Sequence, residues 1–120
     1  MINPYPSAEK LRQLVREARY CCSVLAHKLE VSEKTLRRWI SRKFGVAAKA
    51  WVDRRRIIDT LPAIMERVPI KAILEEFGFE QVSHFSRVFK RVMGVPLHTF
   101  RRSPEKFLGR AVDLYVVRNR

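Results

Sequence analysis

Residues 69–102 read PIKAILEEFGFEQVSHFSRVFKRVMGVPLHTFRR, a pattern of two short helices separated by a tight turn. Apolar residues recur at helical spacing on both sides of Gly78,. Glycine tolerates the positive φ that a chain reversal needs, so the helices are predicted to end at Gly78 and Gly94. The outer side of the second helix is polar and cationic. This pattern is typical of a helix-turn-helix unit that places one helix in a DNA major groove.

A second copy of this pattern precedes the first along the chain. Ser32 is predicted to cap a helix that ends at Gly45, and a short helix over residues 22–29 comes before it. Gly45 and Gly94, where the second helices of the two units end, are 49 positions apart. The segments before the turn within each unit are 48 positions apart. Repetition of a supersecondary unit indicates two copies of one function.

The rest of the chain is also predicted to be helical. Ser7 is a suitable cap for a helix over residues 8–19. A connecting helix of about 25 Å is expected from Ala48 to about Met65. Pro62 lies inside it and removes a backbone hydrogen bond, so a kink near Asp59 is expected rather than a break.

The predicted fold class is therefore all-α, with two helix-turn-helix subdomains joined by a central connecting helix. The predicted boundaries are an N-terminal helix-turn-helix subdomain, the connecting helix, a C-terminal helix-turn-helix subdomain and a tail with helical potential, at residues 1–46, 47–67, 68–102 and 103–120. The aromatic residues at helical spacing are expected in the core. They are Trp39, Phe44, Trp51, Phe77, Phe79, Phe85, Phe89 and Phe100.

Two motifs carry a resemblance to a known family. The motif GF-x4-HFSRVFKR-x2-G-x5-FR, from Gly78 to Arg101, resembles the signature of the AraC/XylS family of bacterial transcription regulators. The first unit resembles the N-terminal unit of that family through LA-x5-S-x3-LRRWI. Leu74 and Leu97 depart from the family pattern, which usually has alanine and proline there. The resemblance implies a homeodomain-like tandem of two DNA-binding units, with Arg55 in a structural ion pair.

The resemblance also places the residues that contact DNA. The implied base-reading residues are Lys34, Arg37 and Arg38 in the first unit, and Gln81, Ser83, His84 and Arg87 in the second. Arginine suits guanine and glutamine suits adenine. The residues expected to contact phosphate are Arg42, Lys43, Lys90 and Arg91. For Arg38 and Arg87 the alternative is a contact to phosphate alone, and for Lys34 and Arg37 it is a solvated surface charge. His84 has the alternative of a histidine on the helix surface. Arg54 and Arg56 are most simply interpreted as solvated charges.

Composition narrows the choice of partner. The 120 residues carry 25 Lys and Arg against 12 Asp and Glu, a net charge of +13 that predicts a polyanionic partner,. Membrane is disfavoured, because no apolar run approaches the ~20 residues of a spanning helix. The N-terminus lacks the apolar core of a signal peptide, so a cytoplasmic, nucleoid-associated protein is expected.

The adjacent Cys21 and Cys22 do not suggest other chemistry. They lack the spacing of a structural zinc site and a base to activate a thiol, so neither a metal site nor an enzyme such as a repair alkyltransferase is expected. No cofactor or small-molecule ligand is evident either.

The predicted function is a sequence-specific regulator that binds double-stranded DNA as a monomer and reads two adjacent major-groove segments. Activation through RNA polymerase fits the family better than repression alone. The alternatives are a non-specific architectural or RNA-binding basic protein, or the DNA-binding fragment of a larger regulator.

Overall fold

A computed structural model describes residues 6–107 and 109 of the chain. All regular elements in this part are helical, which confirms the predicted fold class. The α-helices are α1 (Ala8–Glu17), α2 (Cys22–Lys28), α3 (Glu33–Phe44), α4 (Ala48–Met65), α5 (Ile70–Phe77), α6 (Val82–Met93) and α7 (Leu97–Arg102), followed by a 3-10 turn (Pro104–Lys106). Most of the predicted tail helix lies outside the described residues.

The helix ends follow the capping pattern of the sequence. The Oγ of Ser7 accepts a hydrogen bond from the Lys10 amide, and Ser32 caps α3 through the amide of Thr35, both at 3.1 Å. Helices α3 and α6 have twelve residues each. They end at Gly45 and Gly94, with φ of 70° and 80°. The predicted repeat is therefore present in the backbone.

Helix α4 is the centre of the fold, because it packs against α1, α3, α5 and α6. Its buried apolar residues include Trp51, Val52 and Ile57. The Trp51 ring stacks on Phe44, with 4.8 Å between the ring centroids. The helix continues through Pro62 without a break, and the kink stays a prediction.

The second unit has an aromatic core. Phe79 and Phe85 meet edge to face with 5.0 Å between their centroids. Phe85 and Phe89 follow at 6.0 Å, and Phe89 meets Phe100 of α7 at 5.5 Å. All four side chains are buried, as predicted. Helix α7 therefore completes the core of this unit.

One core prediction is wrong. Trp39 is only half-buried, although it was expected in the core of the first unit. The buried residues of α3 are Leu36, Ile40 and Phe44, which follow one another every four positions. Trp39 lies about 100° around the helix from Ile40 and therefore at the margin of that stripe.

A shared carboxylate joins α1 to α4. Tyr20 donates a hydrogen bond of 2.6 Å to Asp59, whose other oxygen lies 3.3 Å from Arg16 and 3.4 Å from Arg55. Burial and the bond to Asp59 raise the pKa of the Tyr20 phenol. Arg55 is buried and paired, which confirms the structural ion pair implied by the resemblance.

Candidate nucleic-acid interface

The outer face of α6 brings the predicted base-reading residues of the second unit together. Gln81, Ser83 and Arg87 are exposed, and the Ser83 hydroxyl donates to the Gln81 amide oxygen at 3.4 Å. These groups include donors and acceptors, as base-edge recognition requires. The face can therefore present a mixed hydrogen-bonding surface to a major groove.

His84 is held on this face by an aromatic neighbour. Its ring is half-buried and meets Phe79 edge to face, with 5.6 Å between the centroids. His84 is thus less exposed than Gln81, Ser83 and Arg87, because its ring packs on a core residue. A base contact would use the exposed edge of its ring.

Arg91 has a structural partner. Its Nη1 lies 3.3 Å from the carboxylate of Asp53, a residue that is only 5% exposed in α4. Lys49 approaches the same carboxylate at 3.9 Å. Arg91 therefore ties α6 to α4 while most of its side chain remains exposed, and Lys90 beside it is also exposed.

The outer face of α3 is mainly cationic. Lys34, Arg37, Arg38 and Arg42 are exposed, and Lys43 is half-buried. Arg37 pairs with Glu33 one turn earlier at 3.4 Å, and both side chains are about half exposed. Exposed pairs of this kind contribute little to stability. Arg37 can therefore exchange this partner for a DNA group at small cost.

Arg56 is the residue whose role the sequence interpretation missed. It is not a solvated charge: its guanidinium carbon lies 3.7 Å from the centroid of the Phe79 ring. Its Nε donates to the Phe77 carbonyl at 2.8 Å, and its Nη2 donates to the Gly78 carbonyl. Burial lowers the pKa of this guanidinium. Arg56 thus caps the C-terminus of α5.

The sequence held a signal for this position. Val52 and Ile64 are apolar, and Arg56 lies four positions after the first and eight positions before the second. A spacing of four keeps residues on one face of a helix. The position was therefore inward-facing, and an arginine there needs carbonyl or aromatic partners.

Arg56 and Arg19 both lie against the turn between α5 and α6. Gly78 has a φ of 75°, and a Cβ added there would lie 3.3 Å from Nη2 of Arg56 and 3.6 Å from the Arg19 carbonyl. Arg19 also donates to the Glu75 carbonyl at 2.7 Å. Glycine at this position therefore permits both the turn and the approach of the first unit.

Two open clefts flank the exposed side chain of Arg87. One, of about 450 Å³, is lined by Arg56, Gly78, Glu80, Gln81, His84 and Arg87. The other, of about 420 Å³, lies between α6 and α7 and is lined by Ser86, Arg87, Lys90, Pro96, Leu97 and His98. His98 is thereby brought beside Lys90, a neighbour that the sequence interpretation did not identify.

Neither a metal site nor a membrane-spanning helix is found among the described residues. Across residues 6–107 and 109, no three His, Cys, Asp or Glu side chains are grouped so that they could hold a metal ion. Within the same residues, no helix is both long and apolar enough to span a membrane.

Comparison with known proteins identifies one family. A family model described as "Helix-turn-helix domain" matches residues 25–103, a range that includes both recognition-helix candidates. No curated protein and no solved structure gives a significant match.

Proposed function

The chain belongs to the AraC-type helix-turn-helix family of DNA-binding transcription regulators, and from this premise we propose that it is a monomeric, sequence-specific regulator. In this proposal α3 and α6 enter two adjacent major-groove segments of one DNA duplex. The observation that carries the proposal is the repeat: two twelve-residue helices with exposed polar faces pack on the same helix, α4.

The dimensions of the chain support two contacts on one duplex. Helix α4 has 18 residues and is therefore about 27 Å long. The described part of the protein is 49 Å along its longest axis. Major-groove segments on one side of B-DNA recur about every 34 Å. One chain is thus long enough to reach two of them.

The exposed side chains divide into two roles in this proposal. Arg87, Gln81 and Ser83 read base edges in the second box, while Arg37 and Arg38 read guanine in the first. Lys34 and His84 add base contacts. Lys90, Arg42 and Lys43 contact phosphates, which positions the protein and supplies affinity without sequence information. Arg91, whose largely exposed side chain also pairs with Asp53, contacts phosphate as well.

Selection of bound duplexes from a random DNA pool tests the proposal. We expect a consensus of two boxes with about ten base pairs between their centres. Sedimentation of the complex should give one chain per duplex. Recovery of no consensus would favour the alternative of a non-specific basic protein, and a single box would remove one of the two units from the interface.

We further propose that the DNA-bound chain activates transcription by contacting RNA polymerase in the bacterial cytoplasm. The family resemblance supports this. Transcription in vitro with purified polymerase tests it, on templates with and without the selected site upstream of a weak promoter. We expect more transcript only from the template that carries the site; a decrease would identify a repressor.

A further inference from the structure

Val82 is an exposed apolar side chain at the N-terminal end of α6, the helix that is proposed to enter the DNA. It is 52% exposed, more than the other large hydrophobic residues found exposed in the described region, Val24 and Met65. It is also the first residue of α6 and lies between the proposed base-reading residues Gln81 and Ser83. An apolar group at this place requires an explanation in terms of what it contacts.

Val82 is not covered by the core of its own unit. It follows the same helical stripe as Phe85 and Phe89, three and seven positions later. Both of those rings are fully buried, whereas half of Val82 remains accessible. Within α6 the fully buried part of this stripe therefore begins at Phe85, one turn after Val82.

The position of Val82 determines what it can meet on DNA. The N-terminal residues of a recognition helix are those that contact base edges. Side chains of a helix also tilt toward its N-terminus, so the first residue projects past the helix end. In the major groove, the apolar feature that a base edge offers is the 5-methyl group of thymine.

We propose that Val82 reads a thymine 5-methyl group in the second box of the DNA site. This inference rests on the proposed function, and it adds a base identity to the site. Valine has no side-chain hydrogen-bonding group, so the other base edges offer it nothing and it would leave their donors and acceptors unpaired. Val82 thus favours thymine because it contacts the methyl group, and it disfavours the other bases because it leaves their hydrogen-bonding groups unpaired.

The equivalent position of the first unit has the opposite chemistry. Glu33 lies 49 positions before Val82 and is likewise the first residue of its helix. Its carboxylate lies 3.4 Å from Arg37 and has no methyl to offer a thymine. The repeat therefore provides an internal comparison, and sensitivity to a thymine methyl should be confined to the second box.

Deoxyuridine substitution tests the proposal, because uracil differs from thymine only by lacking the 5-methyl group. The selected duplex is made with deoxyuridine at one thymine at a time, and affinity is measured for the wild-type chain and for Val82→Ala. We expect one second-box substitution to weaken the wild type about three- to fivefold, the factor for one buried methyl-sized group. Val82→Ala should bind the thymine site about as weakly as the wild type binds the deoxyuridine site. Its affinity should not fall further when deoxyuridine replaces that thymine.

Val24→Ala is the matched control, because Val24 is also an exposed valine but lies in α2. This variant should keep both the affinity and the deoxyuridine sensitivity of the wild type. Melting curves of both variants confirm that they are folded.

Three results would overturn the proposal. The wild type could bind thymine and deoxyuridine sites equally throughout the second box. Val82→Ala could keep the full sensitivity, which would assign the effect to DNA shape. The sensitivity could lie in the first box alone. In each case specific two-box binding survives, whereas failure to select any site overturns the proposed function as well.

Discussion

The guanidinium of Arg56 covers the ring of Phe79, with 3.7 Å between its central carbon and the ring centroid. Arg56 belongs to α4, and Phe79 begins the turn that leads into α6. The same guanidinium donates to the carbonyls of Phe77 and Gly78. One side chain of α4 thus contacts both sides of the turn that leads into α6.

Replacing Arg56 should therefore destabilise the fold. We expect Arg56→Ala to lower the free energy of unfolding by about 2–3 kcal/mol, through the loss of two carbonyl partners and one cation–π contact. Urea unfolding followed by circular dichroism measures this. Arg38→Ala, an exposed arginine of α3, is the control and should remain within about 0.5 kcal/mol of wild type. Equal stability of the two variants would contradict the capping role.

Gly78 should be less replaceable than Gly45. Both have a positive φ, so an alanine at either position should cost about 1 kcal/mol of backbone strain,. A Cβ at Gly78 also approaches Arg56, whereas a Cβ at Gly45 meets nothing within 4 Å. We expect Gly78→Ala to lose at least about 1 kcal/mol more than Gly45→Ala in urea unfolding. Equal losses of stability in the two variants would mean that the Arg56 side chain moves away from the added Cβ at no cost.

Tyr20 should make stability depend on pH in the alkaline range. Its folded-state pKa is raised by burial and by Asp59, while in the unfolded chain it is about 10. The folded form therefore retains a proton that the unfolded form releases, and stability falls as pH rises above about 10.

The variant Tyr20→Phe isolates this contribution. It should be about 1–2 kcal/mol less stable than wild type at pH 7, because the hydrogen bond to Asp59 is lost. The difference should narrow between pH 10 and 11, since only the wild type has the phenol to titrate. Urea unfolding of both proteins across this range is the measurement. A stability difference that does not change with pH would exclude a raised pKa of Tyr20 in the folded protein.

Arg87 and Lys90 should differ in what they contribute to DNA binding. Arg87→Ala should weaken the selected site by about 1–3 kcal/mol and relax one base position. Lys90→Ala should weaken selected and random DNA alike and flatten the slope of log K against log salt by about 1. Both are measured by fluorescence anisotropy over a salt series. If Arg87→Ala weakens random DNA as much as the selected site, Arg87 contacts phosphate only.

Trp51 should be the more important of the two tryptophans for stability. It is fully buried and stacked on Phe44, whereas Trp39 is half-buried. Trp51→Ala should lower the free energy of unfolding by about 3–5 kcal/mol. Trp39→Ala should lose less than half as much. Thermal and urea unfolding measure both losses. A larger loss for Trp39→Ala than for Trp51→Ala would contradict the burial of Trp51 in the core.

Most of the backbone could be predicted because its signals are local. Glycine at the ends of α3 and α6, serine at the starts of α1 and α3, and apolar spacing in α4 each act within a few residues of the chain. The bounds Ala48–Met65 were accordingly predicted as they are found.

Contacts between side chains that are distant in sequence could not be predicted in the same way. Arg56 meets residues more than twenty positions away, and Arg91 meets Asp53 across 38 positions. Helical periodicity gives the direction of such a side chain but not the group that it meets. The face that carries Gln81, Ser83 and Arg87 could be predicted, since exposure on one helix is a local property.

Because α4 packs against α3 on one side and against α5 and α6 on the other, the two helix-turn-helix units are not interchangeable modules. A chimera that took residues 68–102 from another family member would set a foreign α5 and α6 against this chain's α4, including Arg56. The smallest segment that can be exchanged intact therefore includes α4, which carries the matching surfaces for both units. Reprogramming this protein for a new DNA site is better done by surface substitutions on α3 and α6 than by recombination of units.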